Sequence, residues 1–169
     1  MNAKAFAIAI LCFSASAPLS AQDSCTFQEN GENNCAHFVG CINEGETLIK
    51  GTTRGWQNGT LYGETTTGVV CKGTWSYDDR LEKGEGLIEC EDGESANINV
   101  FSRGVTVRSI TGVAITSSGK RLRIWGSTDL STLFAERYPD APVPGQTYKC
   151  GTAWIPLPTQ FPKDPELAN

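Results

Sequence analysis

The sequence predicts a mainly β fold: an antiparallel hairpin meander, forming an open sheet or sandwich, stapled by disulfides, with one short helix near 128–138. Three observations predict it. Short β-type runs alternate with Gly, Asn and Asp turns from Thr47 to Gly126. An even set of cysteines remains once a leader-like segment is set aside. The register of one hairpin then brings two of those cysteines face to face.

The leader occupies residues 1–21. Lys4 supplies a positive start, Ala5 to Phe13 is an uncharged apolar run, and small residues from Ser14 to Ala21 offer a cut after Ala21. The apolar run is shorter than the roughly 20 residues a membrane-spanning helix needs. Neither Cys12, after Ile10 and Leu11, nor Cys25, after Asp23 and Ser24, has the small-residue pair that precedes a lipid-modified cysteine. The expectation is a bacterial-type export signal and a mature protein that is periplasmic or secreted, without membrane insertion.

Removal of that segment leaves 148 of 169 residues, the size of one domain. It also leaves 13 basic against 19 acidic residues, a net charge of −6. Such a balance argues against nucleic acid, whose binding rests on neutralising phosphates. The domain is read as 22–150, divided into an irregular Cys-rich segment (22–46), hairpins (47–126) and a short helix with a loop (127–150). Residues 151–169 read as a Pro-rich extended tail.

Dipeptide turns fix the register of the hairpins. Asn58-Gly59 suits a two-residue turn, which places Trp56 opposite Leu61. Asp92-Gly93 places Ile88 opposite Asn97 in the same way. Ser118-Gly119 places Ile115 opposite Leu122 and Val113 opposite Ile124, so those four share a buried face and Thr116, Arg121 and Arg123 take the wet one. In the longer hairpin, Tyr77 faces Gly84, Trp75 faces Gly86 and Cys71 faces Cys90. Directly opposed Cβ atoms lie about 4.5–5.5 Å apart, so modest closing permits a Cys71–Cys90 bridge. Cys25, Cys35, Cys41 and Cys150 then admit three pairings. Cys35 with Cys41, leaving Cys25 for Cys150, is preferred, and outward bridging of Cys25 and one of the others is the alternative.

Leu130, Leu133, Phe134 and Arg137 recur at helical spacing, with Ser127 or Thr128 as a cap and Pro139 after the end. The prolines beyond Ala141 predict extended chain, with Trp154, Ile155, Leu157 and Phe161 apolar enough to dock on the body.

Cys71-Lys-Gly73-Thr-Trp75, followed by Gly84-Glu-Gly86 and Asp92-Gly93, resembles a MORN repeat. The likeness covers roughly residues 71–93 as a single partial repeat, with Cys71 where that family opens on an aromatic and a longer loop. It implies an open, hairpin-by-hairpin sheet used as a scaffold or binding surface rather than as a catalyst.

Chemistry-bearing patterns are sparse. There is no CxxC pair and His37 is the single histidine, which argues against a zinc site or a reactive dithiol. No metal and no cofactor is expected. Glu89 and Glu91 are two apart on a strand and so share a face. They define the alternative reading, a small secreted carboxylate-dependent hydrolase, which requires them to line a concave pocket. The preferred reading is a non-enzymatic binding or structural protein acting on an envelope protein or a glycan. Its candidate surface is Trp56, Tyr62, Trp75, Tyr77 and Trp125, with Trp154 beside them, since aromatics on a sheet can stack on sugars or peptides.

Overall fold

The computed structural model describes residues 34–102, 109–162 and 165. The predicted leader, Cys25 and the rest of the stretch before Asn34 lie outside the described residues. Eight strands run in sequence order: β1 (Cys35–Ile42), β2 (Thr47–Trp56), β3 (Asn58–Thr65), β4 (Val70–Asp78), β5 (Lys83–Cys90), β6 (Ser95–Ser102), β7 (Ser109–Ile115) and β8 (Arg121–Ser127). Each pairs antiparallel with the next, and β8 pairs back onto β1 from His37↔Ser127 to Ile42↔Leu122. The meander therefore closes into a barrel, which overturns the open sheet or sandwich. Closure depends on β1, which the sequence hides inside the polar segment 22–46. Its inward positions, Ala36, Phe38, Gly40 and Ile42, include two small residues, so the alternation that marks a strand is faint.

The register sorts every strand into an inner and an outer row, because side chains alternate between faces. Phe38, Ile42, Ile49, Leu61, Cys71, Ile88, Ala96, Ile98, Val100, Leu122 and Ile124 meet inside as one core. Eight strands leave an interior just wide enough for side chains, and this one is filled by them. Glycines make the room. The ring of Phe38 lies against Gly51 and Gly63, where an added Cβ would come within 2.5 and 2.8 Å of it. The outer row carries Lys72, Thr74, Ser76, Glu85, Glu89, Arg121 and Arg123, all exposed. The same outer row also carries the exposed apolar side chains Leu87, Phe101, Val113 and Ile115. Among the described residues no helix is long and apolar enough to cross a membrane.

Three of the four predicted registers shift. The β5–β6 connection is a three-residue loop in which the Gly93 and Cys90 amides donate to Cys90 O and Glu94 O, with Gly93 at φ +87°. The β7–β8 connection repeats it: the Gly119 and Thr116 amides donate to Thr116 O and Lys120 O, with Gly119 at φ +83°. Both are type I turns with a glycine bulge rather than two-residue turns. The extra residue slips the register by one, so Ile88 faces Ala96, Val113 faces Arg123 and Ile115 faces Arg121. Val113 and Ile115 consequently lie outside, 38% and 60% exposed, while Thr116 is buried. In the β2–β3 hairpin the turn centres on Gln57 at φ +59°, so Asn58 and Gly59 belong to β3 and Thr53, not Trp56, faces Leu61. The β4–β5 hairpin pairs Tyr77 with Gly84, Trp75 with Gly86 and Cys71 with Cys90, and a disulfide joins the two cysteines.

The helix α1 (Leu130–Arg137) is capped by Asp129, whose carboxylate accepts from the Thr132 amide at 2.9 Å, one residue beyond the predicted caps. Residues past it form a small hairpin, β9 (Thr147–Cys150) and β10 (Ala153–Pro156), so the segment read as an extended tail begins within a β-turn. Helix and hairpin cover the outer side of β1 and β8. There Val39, Cys41, Trp125, Leu130, Leu133, Phe134, Tyr148 and Cys150 form a second core, with Ile155, Leu157 and Phe161 against its margin. Trp125 meets Phe134 and Tyr148 edge-on, each at 5.8 Å between ring centres. A Cys41–Cys150 disulfide fastens the cover to the wall. The preferred Cys35–Cys41 pairing is thereby excluded. Both lie on β1, where six extended residues separate them by about 20 Å. Cys35 is disulfide-bonded too, to a partner outside the described residues. Bridges of this kind belong to an oxidising, non-cytoplasmic environment.

Candidate binding groove on the outer wall

The register slip at β7–β8 creates the site. Rungs Ile115↔Arg121, Val113↔Arg123 and Thr111↔Trp125 stand side by side on the outer face. An apolar row on β7 therefore runs beside a cationic row on β8. A hollow of ≈400 Å³ lies over them, lined by Val113, Ile115, Arg121, Arg123, Lys149 and Gly151 among others. A second, ≈300 Å³, continues past Val113 and Arg123 to Phe101, Thr111 and Arg137. The hairpin β9–β10 forms one bank, and α1 contributes Arg137 at the far end.

The cations are positioned by aromatic faces. The Arg123 guanidinium stands 5.8 Å from the centre of the Trp125 ring, and Arg137 stands 6.0 Å from the same ring and 5.9 Å from that of Tyr138. Lys149 stands 5.6 Å from the Trp154 ring. Ring quadrupoles hold a cation in place without neutralising it. Arg121 is paired with Glu44, which reaches over from the 3-10 turn at Asn43–Gly45. Among the described residues no carboxylate pairs with Arg123, Arg137 or Lys149; Arg137 donates only to the Thr111 hydroxyl, at 3.4 Å. The indole N–H of Trp125, buried beside the groove, has no acceptor among the described residues.

The aromatic surface expected from the sequence does not exist as one surface. Trp125 is 0% exposed beneath α1 and borders the groove only as part of its buried floor. Trp75 and Tyr77 share the inner row with Cys71; Tyr77 packs on the barrel core, and Trp75 donates its indole N–H to Thr60 O at 3.2 Å. Trp56 and Tyr62 lie on the outer rows of β2 and β3, on the wall away from the groove, and Trp154 stands on the bank through Lys149. Glu89 and Glu91 are both exposed, one on the outside of β5 and one in the turn after it, and line none of these hollows. A third hollow, ≈360 Å³, over Thr74, Trp75, Ser76, Glu85, Asn97 and Asn99, holds one of the predicted aromatics, one carboxylate and no cation.

No family model matches the chain, and no curated protein matches it. Two solved structures are similar to it. One, a redesigned β-barrel bound to DFHBI, has 12% identity and a TM-score of 0.45, over 57% of this chain and 94% of that one. The other, a de novo designed fluorescence-activating β-barrel, has 14% identity and a TM-score of 0.44, over 56% of this chain and 91% of that one. At these values neither bears on what this chain binds.

Elsewhere the ionisable groups serve the fold. His37 stacks on Phe161 with ring centres 4.1 Å apart, and burial holds its pKa below the usual value. Burial also pushes the Tyr148 hydroxyl up to about 12. Glu94 accepts from the Ser118 hydroxyl and amide and from the Ser117 hydroxyl, at 2.6, 2.8 and 2.7 Å. Those bonds hold its carboxyl at about 2, and they tie the β5–β6 turn to the β7–β8 turn. Among the described residues no group of three or more His, Cys, Asp or Glu could hold a metal ion. The groove presents Arg121, Arg123 and Lys149 over Val113 and Ile115, with Glu44 the carboxylate in its lining.

The sequence missed the groove because the slip moved its floor. With a two-residue turn at Ser118-Gly119, Val113 and Ile115 read as core. Counting Ser117 into the loop would have put both outside beside Arg121 and Arg123.

Proposed function

We propose that this chain is an exported, non-enzymatic binding protein of the bacterial envelope or exterior, periplasmic or secreted, which holds a partner in the groove over β7 and β8. The observation that carries the reading is the set of unopposed cations, Arg123, Arg137 and Lys149, around exposed Val113 and Ile115. A protein with net charge −5 that concentrates uncompensated positive charge over an apolar floor is arranged to attract an anion and desolvate part of it. The leader-like residues 1–21 and the disulfides support export. The filled barrel interior directs binding to the outside.

The test places a photo-crosslinking residue at Val113, at Ile115 or at the exposed control Thr74, in the protein expressed with its leader in bacterial cells. Specific envelope products from 113 and 115, absent from 74, are the expected result. Equal labelling at all three, or none, overturns the assignment of the groove.

A further inference from the structure

We infer that the groove takes an extended segment of a partner protein in which acidic and apolar residues alternate. This rests on the binding reading above and narrows it to one kind of ligand.

The argument is one of period and charge. Successive residues of an extended chain point to opposite sides, and same-side residues recur about every 6.8 Å. Val113 and Ile115 recur at that interval on β7, as do Arg121 and Arg123 on β8. A segment lying along the seam between the two strands sends one set of side chains over Val113 and Ile115 and the other toward the arginines. Strict alternation satisfies both rows at once, and a block of acids followed by a block of apolar residues satisfies neither. The chain already holds one contact of the required kind, the Glu44 carboxylate on Arg121. Arg123, with Lys149 and Arg137 on the banks, remains open for the next carboxylates along. Closure of the barrel leaves no edge at this wall for a partner strand to extend, so the contact is made through side chains.

The experiment measures binding to the mature protein by isothermal titration calorimetry, with the Val113 and Ile115 methyl resonances as site reporters. The probes are the peptides Glu-Val-Glu-Val-Glu, Glu-Glu-Glu-Val-Val and Gln-Val-Gln-Val-Gln, and a trigalacturonate. The alternating acidic peptide is expected to bind at least tenfold more tightly than any of the other three and to move both methyl signals. Arg123→Gln and Lys149→Gln each weaken it about three- to tenfold, and Arg80→Gln, remote and exposed, leaves it unchanged; all three side chains lie at the surface, so the variants fold. The inference is overturned if the block peptide binds as well, if trigalacturonate binds more tightly, if Arg123→Gln is without effect, or if no probe binds below 1 mM, roughly −4 kcal/mol of binding free energy. Failure of the peptides beside specific crosslinks at 113 and 115 removes this ligand class alone. Absence of those crosslinks removes the groove itself.

Discussion

The ring of Phe38 rests on the bare backbone of Gly51, so that a methyl group there would sit 2.5 Å from the ring and 2.2 Å from the carbonyl oxygen of Tyr62. The second contact decides the consequence. A side chain can turn away, but the neighbouring strand's carbonyl cannot move without breaking the ladder. Gly51→Ala is therefore expected to destabilise the protein by at least about 1–3 kcal/mol, the usual range for overpacking. Phe38→Ala, which empties the centre of the barrel, should cost about 3–5 kcal/mol. Urea unfolding followed by tryptophan fluorescence measures both. A neutral Gly51→Ala would contradict the packing.

The two described disulfides should differ in worth. Cys41–Cys150 spans 109 residues and Cys71–Cys90 only 19. On the loop-closure account the first contributes about 4–5 kcal/mol and the second about 3. Replacing Cys41 and Cys150 by Ala should therefore lower the urea midpoint further than replacing Cys71 and Cys90. It should also expose Trp125 to acrylamide quenching, because that bridge pins the cover over the indole.

Acid should act through Glu94. Its folded pKa, about 2, lies below the ordinary 4.5, so its contribution is fully present above pH 4.5 and is lost as pH falls toward 2. Glu94→Gln is expected to flatten that part of the stability profile and leave the profile near pH 7 parallel to wild type. An unchanged acid limb in the variant would show that the hydroxyl clamp does not stabilise the charge.

His37 gives a separate window. Burial disfavours its charged form, so the unfolded chain takes up the proton first as pH falls below 6.5, and stability declines there. The sole imidazole in the chain should titrate below 6.5 by NMR. His37→Phe, which keeps a ring against Phe161, should remove the slope. A His37 titrating above 6.5 would refute the assignment.

The β4–β5 hairpin was legible because several pairs constrained one register together: Cys71 with Cys90, Trp75 with Gly86 and Tyr77 with Gly84. Elsewhere an Xaa-Gly dipeptide was the only guide, and it fits two loop lengths. Gly93 and Gly119 both adopt the positive φ their sequence suggested, yet each ends a three-residue loop rather than a two-residue one. The difference of one residue turns a strand over, and it carried Val113 and Ile115 from the predicted core to the groove. The helix was visible in the spacing of Leu130, Leu133 and Phe134, which are its buried residues. Barrel closure left no local trace, since Phe38 and Gly126 meet across most of the domain and neither marks the other. Trp125 misled for a related reason: an aromatic on an outer strand reads as available until the segment that covers it is known.

The seam between β1 and β8 also sets an order of events. A chain emerging from its amino end presents its first strand long before the last one exists, so β1 must wait, half-paired, until Ser127 has appeared. Up to that moment the growing sheet has two sticky margins, and any chaperone that shields nascent protein would find its most urgent task at residues 35–42. Synthesis or translocation halted before β8 is complete should yield aggregates rather than a smaller stable product.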